Sequence, residues 1–261
     1  MDYQLHFHIR IWIEEAAEKL RQSLSRDLAI DTKTGPSDLV TEMDVATEQF
    51  FRQKVAEYYP DHRILGEEST SKGATIQDTK GILWIIDPID GTMNFVKAKN
   101  YFAIQIGIYE DGQPLAGYIY PVMTGDLYYG IVGQGVYKND LPLERIAAEP
   151  LEQSVLLTNT ANAIANRHQV QALVHEFLSV RCLGAASLEI LEVILGHAGA
   201  YASCKLCPWD FAAGLAICQE LPITVTRLDG SPLNLLEEST VLFAQDTIHA
   251  QAIQLMQDSQ D

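Results

Sequence analysis

The sequence predicts a layered α/β fold, and three patterns along the chain support this prediction. The first is an amphipathic helical pattern near the amino terminus. The second is a block of alternating strands across residues 102–138. The third is a renewed alternation of strands and helices beyond residue 152. Elements that alternate in this way pack as layers around a shared core.

Two helices and two short buried strands are predicted in the amino-terminal part. The first helix is indicated by apolar residues at helical spacing: Ile9, Ile13, Ala16, Ala17, Leu20 and Leu24. A second helix is expected from about Asp44 to Tyr59, where Pro60 ends it. The apolar runs RILG and GILWII follow, and each leads into acidic residues. We therefore expect two strands whose ends open onto a common cleft.

The middle of the chain contains a predicted antiparallel block and a boundary. Strands alternate with a turn at Asp111 and Gly112. The polar segment near residues 145–152 contains Pro150 and suits a boundary. The expected division is into an amino-terminal half that carries most candidate metal ligands, residues 1–148, and a carboxy-terminal half, residues 149–261.

Strands and helices alternate again in the second half, which argues for a second α/β layer. The strands are expected at SVLLTN, RCLG, AGAYAS, ITVTRL and TVLFAQ. The helices are expected over residues 166–178, from about Ala185 to Leu195, and from Trp209 to about Glu220.

The charge of the chain restricts its partners. There are 18 Lys and Arg residues against 35 Asp and Glu, which gives a formal charge of −17. This charge disfavours direct nucleic-acid binding, whereas carboxylates gathered in one cleft would recruit divalent cations. The amino terminus lacks a basic region followed by an apolar stretch, and the four cysteines suit a reducing compartment. We expect a cytoplasmic protein without a membrane partner.

The stretch DPIDGT, residues 87–92, carries the clearest chemical signal. A strand that leaves the core fixes the direction of its last side chains, so Asp87 and Asp90 can point into one cleft, with Pro88 stiffening the exit. Gly91 lets the backbone approach a ligand closely, and Thr92 can begin a helix whose free N–H groups bind an anion. The alternative interpretation is a capped turn with Asp90 as the N-cap residue.

Three more segments repeat this kind of signal. The segment KTGPSDLVTEMD supplies Lys33, Asp38, Thr41 and Asp44, ILGEES supplies Glu67, and PWDFAAG supplies Asp210. With these four segments in this order, the chain resembles the inositol monophosphatase family of magnesium-dependent, lithium-sensitive phosphatases, a superfamily that includes fructose-1,6-bisphosphatases. The resemblance covers almost the whole chain and implies an alternating αβαβα sandwich and, in solution, a homodimer.

The resemblance also implies roles for individual residues. Two to three Mg²⁺ ions would be held by Glu67, Asp87, the main-chain carbonyl of Ile89, Asp90 and Asp210. Asp44 and Thr92 would orient the attacking water with Glu67 in reach, and Lys33 would lie in a mobile loop over the metals. The residues expected to contact the phosphate substrate are Asp90, Gly91, Thr92, Gly184, Ala186, Ser203 and Lys205.

One position departs from the family pattern. Inositol-selective members carry a glutamate seven residues before the aspartate of the WD motif, and this chain has Ser203 there and Lys205 two residues later. A nearby cation would favour a second phosphate on the substrate. This departure puts inositol selectivity in doubt. The resemblance as a whole implies a phosphomonoesterase acting on a small sugar or polyol phosphate, with two alternatives left open: a bisphosphate or NADP(H) phosphatase, and a regulatory protein-binding relative.

Overall fold

The computed structural model describes residues 2–32, 35 and 39–259, and within this part the chain forms two large sheets and a short two-stranded one. The helices are α1 (Tyr3–Ser23), α2 (Glu42–Tyr58), α3 (Glu67–Ser71), α4 (Thr92–Lys97), α5 (Thr160–Ile164), α6 (Val170–Glu176), α7 (Ala186–Leu195), α8 (Pro208–Cys218) and α9 (Asp246–Asp258). The long amphipathic stretch of α1 is capped by Asp2, whose carboxylate accepts from the Gln4 N–H.

The strands divide cleanly between the two halves of the chain. Those of the first half are β1 (Ile30–Thr32), β2 (Leu39–Thr41), β3 (Arg63–Gly66), β4 (Ile82–Asp90), β5 (Ala103–Glu110), β6 (Gln113–Pro121), β7 (Tyr128–Ile131), β8 (Gly135–Lys138) and β9 (Leu141–Pro142). Those of the second half are β10 (Val155–Thr158), β11 (Ser179–Arg181), β12 (Ala200–Leu206), β13 (Ile223–Thr226) and β14 (Ser239–Gln245).

The larger sheet runs from β3 to β9 in chain order, and the smaller sheet has the order β11-β10-β12-β14-β13. Strands β3 and β4 are parallel, so their carboxyl ends lie at the same edge. Strands β4 to β9 pair antiparallel in succession. The acidic residues that follow β3 and end β4 are therefore brought to one edge of the larger sheet.

Buried apolar side chains order these elements into five layers. Helices α1 and α2 cover one face of the larger sheet, for example through Trp12 and Phe51. Helices α7 and α8 fill the space between the sheets, where Ile190 and Phe211 pack. Helices α6 and α9 cover the outer face of the smaller sheet. The predicted αβαβα order is confirmed. Because α7 and α8 pack on both sheets, the halves share this core, and the division at residue 148 stays a proposal about chain order.

Two local predictions need correction, and one helix was missed. The helix expected over residues 166–178 is broken, because Asn166, His168 and Gln169 adopt positive φ angles of 47°, 51° and 59° and separate α5 from α6. The strand expected at RCLG ends at Arg181, before most of that segment. Helix α9 was not predicted from the sequence, although its face with Ile248, Ala252 and Met256 is buried.

A buried histidine links α1 to the larger sheet. The Nδ1 atom of His6 lies 2.9 Å from the Tyr118 hydroxyl. Burial lowers the pKa of His6, Arg10 adds to this effect, and Asp140 opposes it. A histidine with a lowered folded-state pKa contributes stability that is present above the unfolded pKa of about 6.5 and is lost as the pH falls below it.

We therefore expect the variant His6→Asn to weaken the acid sensitivity of folding. Asparagine retains a hydrogen-bonding group near the Nδ1 position but does not titrate, so the stability difference between about pH 7.5 and about pH 5.5 should shrink. Urea unfolding at the two pH values measures this difference. The exposed His168→Asn serves as the control, and an equal change in both variants would contradict the assignment to His6.

In the described part of the chain, none of the helices combines the length and the apolar character that crossing a lipid bilayer requires.

Candidate active site

Three carboxylates converge where β4 ends. Oxygen atoms of Asp87, Asp90 and Asp210 all lie within 4.8 Å of one another. Strand β4 is irregular between Asp87 and Asp90, which brings both side chains toward the same place despite their spacing of three residues. Asp210 comes from the first turn of α8, which packs on the larger sheet. The fold therefore joins the DPIDGT and PWDFAAG segments into one acidic group.

The carboxylate of Asp90 also holds the start of α7. It accepts hydrogen bonds from the N–H of Ala186 at 3.2 Å and of Ser187 at 2.6 Å, from the Ser187 hydroxyl, and from the main chain of Gly91. Burial raises the pKa of Asp90, and these hydrogen bonds oppose the rise. The N-cap residue of α4 is Gly91, so the alternative interpretation of Asp90 as the cap of its own turn is wrong.

Gly91 is required by the backbone. Its φ angle is 88°, in the left-handed region, and a Cβ atom there would lie 2.9 Å from the Cβ of Ala185 and 3.1 Å from the carbonyl oxygen of Tyr101. Asn94 ties the same region together, because its amide donates to the carbonyls of Tyr101 at 2.9 Å and of Leu183 at 2.8 Å. The loop after β4 is thus fixed against the loop before α7.

Asp44 and Thr92 form a hydrogen-bonded pair beside the acidic group. Asp44 is fully buried, and its Oδ2 accepts from the N–H of Thr41 at 2.7 Å and from the Thr41 hydroxyl at 2.5 Å. The Thr92 hydroxyl lies 2.9 Å from Oδ1 of Asp44 and 3.1 Å from the Ile89 carbonyl. Because a hydroxyl has one proton, donation to Asp44 leaves the lone pairs of Thr92 able to accept from a third group.

Helix α8 is held on the larger sheet by side chains of β5. Asp87 is paired in register with Gln105, whose amide donates to the main-chain carbonyl of Asp210 at 3.3 Å. Tyr109, four residues further and on the same face, donates to the carbonyl of Ala212 at 2.7 Å. The N–H of Cys207 donates to the Asp210 carboxylate at 2.7 Å. These bonds fix Asp210 relative to β4.

Glu67 approaches the acidic group from another side of the cleft. It is the first residue of α3, and it lines a cavity of about 880 Å³ together with Thr41, Lys205 and Asp210. Among the described residues, the three carboxylates that approach within 4.8 Å of one another do not include Glu67. The structure thus brings Glu67 into the same cleft, at its wall.

The remaining predicted residues fall into different places. Lys33 and Asp38 lie outside the described residues. Gly184 and Ala186 lie in the loop and first turn that precede and begin α7. Ser203 is buried, and its hydroxyl lies 3.2 Å from the carbonyl oxygen of Lys205. Lys205 is largely exposed, and its Nζ lies 2.9 Å from a carboxylate oxygen of Glu238.

Sequence reasoning missed two buried carboxylates that hold main-chain segments of the site. Glu189 accepts from the N–H of Leu183 at 2.7 Å and of Gly184 at 3.3 Å, and burial raises its pKa. Glu48 accepts from the N–H of Glu68 at 2.6 Å. The sequence offers one indication of each residue, which is an acidic side chain on the helix face that is expected to point inward. Glu48 follows Asp44 by four positions, and Glu189 lies within the apolar α7.

The donor set fits a hard divalent cation. Three carboxylates converge within 4.8 Å, and two of them, Asp87 and Asp90, are buried. Mutual repulsion at this separation is relieved by a cation. Oxygen ligands without sulfur or imidazole match the preference of Mg²⁺, which keeps several of its waters.

The chain is similar to known proteins over nearly its whole length. Residues 4–261 match the model of the inositol monophosphatase family. The chain is 41% identical over 242 residues to inositol-1-monophosphatase of Bacillus subtilis (strain 168), covering 91% of each chain. The fold is similar to that in the crystal structure of an IMPase/NADP phosphatase complexed with Mg²⁺ and phosphate, with a TM-score of 0.88. The two sequences are 30% identical, and the match covers 97% of this chain and 94% of that chain. Inositol monophosphatase-II from Staphylococcus aureus MSSA476 gives 37% identity, a TM-score of 0.85 and coverage of 96% and 92%.

Proposed function

Because the chain belongs to the inositol monophosphatase family and is thus a phosphatase, we propose that it is a Mg²⁺-dependent phosphomonoesterase acting on a small sugar or polyol phosphate of the inositol-1-phosphate type. The observation that carries this proposal is the Asp44–Thr92 pair, joined at 2.9 Å, next to the converging carboxylates of Asp87, Asp90 and Asp210. A water-orienting pair beside a cation site is what phosphate hydrolysis requires.

The proposed metal ligands are side chains and one carbonyl of the cleft. Glu67, Asp87 and the carbonyl of Ile89 would hold one Mg²⁺ ion, Asp87, Asp90 and Asp210 a second, and a weaker third position would lie near Glu67. When bound, Mg²⁺ supplies positive charge that stabilises the phosphate oxygens and the leaving oxygen. Occupation of one of these positions by Li⁺ would inhibit the enzyme.

The chain itself orients the reactants. Thr92 donates its hydroxyl proton to Asp44, so its oxygen can accept a hydrogen bond from the attacking water and aim that water at phosphorus. The main-chain N–H groups of Gly91 and Thr92 would hold the phosphate, the first of them shared with Asp90. Lys33 would add a cation over the cleft. Gly184 and Ala186 would form the substrate wall, which Glu189 and Asp90 hold in position through main-chain hydrogen bonds.

A direct assay tests the proposal. The purified chain should release inorganic phosphate from inositol-1-phosphate in the presence of Mg²⁺ and lose this activity when the cation is removed by a chelator. A panel that includes fructose-1,6-bisphosphate and NADP identifies the substrate class. Absence of turnover on every phosphomonoester in the panel, with or without Mg²⁺, would overturn the proposal and favour the regulatory alternative.

The second candidate activity is that of a bisphosphate or NADP(H) phosphatase. It is supported by Lys205, which lines the cavity with Glu67 and Asp210, and by likeness to an enzyme described as an IMPase/NADP phosphatase. The side chain of Lys205 is 69% exposed, and its partner Glu238 is 49% exposed. An exposed ion pair contributes about 0–1 kcal/mol, so Lys205 can exchange Glu238 for a substrate phosphate.

We therefore expect Lys205→Ala to lower kcat/KM for NADP and fructose-1,6-bisphosphate about tenfold relative to inositol-1-phosphate, since a charge-assisted hydrogen bond is lost. Glu238→Gln should shift the same ratio in the opposite direction, because it removes the negative charge that competes with a substrate phosphate for Lys205. Lys72→Ala, an exposed lysine lining the same cavity, is the matched control. Unchanged ratios in the first two variants would mean that Lys205 does not contact substrate.

We further propose that the protein acts in the cytoplasm as a homodimer, without direct contact to nucleic acid or membrane. The formal charge of −17 supports the absence of nucleic-acid binding. The homodimer is suggested by the family resemblance. Light scattering after size-exclusion chromatography measures the state directly, and a mass of about 29.0 kDa, that of one chain, would contradict the dimer.

A further inference from the structure

A buried carboxylate and a half-buried guanidinium surround the residue that follows Glu67. Glu48, on α2, is 2% exposed. Its Oε2 accepts from the N–H of Glu68 at 2.6 Å, and its Oε1 accepts from the N–H of Ser69 at 3.1 Å. Both donors belong to the first turn of α3, where main-chain N–H groups have no partner within the helix. Glu48 therefore acts as the cap that Gly66, the N-cap residue, has no side chain to supply.

Arg52 closes this contact from the other side. Its Nε donates to Oε1 of Glu48 at 2.8 Å, and its terminal nitrogen contacts the hydroxyl of Ser69. A buried carboxylate is stable when it is paired and hydrogen-bonded in this way. Gly66 completes the arrangement, because a Cβ atom there would lie 2.4 Å from Oε2 of Glu48. The junction of β3 and α3 thus has one position relative to α2.

The same face of α2 also carries Asp44, which is hydrogen-bonded to Thr92. Asp44 and Glu48 are four residues apart on the helix, so they lie on one face about 6 Å apart along the axis. Asp44 contacts Thr92, and Glu48 contacts the residues after Glu67. The first two turns of α2 therefore fix the position of Glu67 relative to Thr92 through two buried carboxylates.

We propose that Glu48, supported by Arg52, is a positioning residue that holds Glu67 at the distance from Thr92 needed to bind a cation. The proposal rests on the proposed function for the presence of a metal ion. The contacts of Glu48 and Arg52 with the start of α3 do not require a metal ion. It predicts that loss of Glu48 loosens α3 and weakens the cation position at Glu67. The position formed by Asp87, Asp90 and Asp210 should retain its affinity, because Glu48 and Arg52 hold α3 and the end of β3, whereas these three aspartates lie on β4 and α8.

The test compares Glu48→Gln with Glu57→Gln, an exposed glutamate on the same helix. In metal-free protein, hydrogen exchange at the amides of Glu68 and Ser69 should accelerate about tenfold in Glu48→Gln, as expected for loss of a hydrogen bond to a charged group. Calorimetric titration of Glu48→Gln with Mg²⁺ should show an affinity about tenfold lower at one class of site and an unchanged affinity at another. The Mg²⁺ concentration at half-maximal activity should rise by the same factor, while kcat at saturating Mg²⁺ is largely retained.

The outcomes separate the two hypotheses. Unchanged exchange at Glu68 and Ser69, or faster exchange with an unchanged Mg²⁺ titration, would overturn the positioning role. A wild-type protein that neither binds Mg²⁺ nor hydrolyses phosphomonoesters would overturn the proposed function, whatever the exchange data show. If Glu48→Gln fails to fold, the half-exposed Arg52→Gln replaces it, with a smaller shift expected in the same direction.

Discussion

Asp87→Asn is expected to lower kcat about a hundredfold or more, which corresponds to about 2.7 kcal/mol of activation free energy. The reason is that Asp87 is the proposed ligand common to two cations, and a neutral amide cannot supply its charge. The protein should still fold, because the amide oxygen of asparagine can accept the hydrogen bond that the Ile89 N–H donates to Oδ1 of Asp87 at 3.0 Å. Steady-state kinetics over a range of Mg²⁺ concentrations measures the effect.

A metal-free measurement gives a second expectation for the same variant. Three carboxylates within 4.8 Å repel one another, so removal of one charge should raise the melting temperature in the presence of chelator. Mg²⁺ should then stabilise the wild-type protein more than the variant. Asp61→Asn, an exposed position, is the control. A variant that keeps more than about a tenth of the wild-type kcat, a loss below about 1.4 kcal/mol, would disprove the shared-ligand role.

Gly117→Ala is expected to destabilise the protein by about 3 kcal/mol, at the upper end of what overpacking usually costs. A Cβ atom at Gly117 would lie 2.0 Å from the carbonyl oxygen of Ala213 in α8. Because this atom belongs to the helix backbone, the overlap is relieved only if α8 moves away from the larger sheet. Asp210 lies in the same helix, so Mg²⁺ affinity should fall together with stability.

A graded series on the same sheet face tests this interpretation. The corresponding shortest contacts are 2.9 Å for Gly130 and 3.0 Å for Gly107, both to α8 backbone atoms. Urea unfolding of the three alanine variants should therefore rank Gly117→Ala as clearly the least stable, with the other two similar to each other. Equal stability of all three variants would show that α8 is not seated by this close contact.

The DPIDGT segment explains why much of the site could be predicted from the sequence. Asp87, Asp90, Gly91 and Thr92 lie within six consecutive residues, so a single strand end and the following turn determine their neighbourhood. Asp44 and Asp210 lie in segments that carry the family resemblance, and this resemblance assigns them to the site. The distance that joins Asp210 to Asp87 could not be obtained in this way, because it depends on how α8 lies across β5 and β6.

Residues that position the site were harder to predict. Glu48 and Glu189 act on main-chain N–H groups, which are present in every segment and leave no mark in the sequence. Gln105 reads as an ordinary polar residue of a strand, yet its amide binds the Asp210 carbonyl, and its Oε1 has no hydrogen-bond partner within the described residues. The direction of Ser203, which is buried beside the carbonyl of Lys205, also follows from packing.

The sequence by itself determined the layered α/β class, most strands and helices, and the acidic segments that carry the chemistry. These properties depend on short-range periodicity and on residues close together in the chain. The tertiary structure decided which carboxylates meet and that Asp90 caps α7 rather than its own turn. It also decided that the predicted helix at 166–178 is broken and that Glu48 accepts hydrogen bonds from the start of α3. Such contacts join residues far apart in sequence, and their geometry is set by the packing of α2, α7 and α8 against the sheets, which no local pattern encodes.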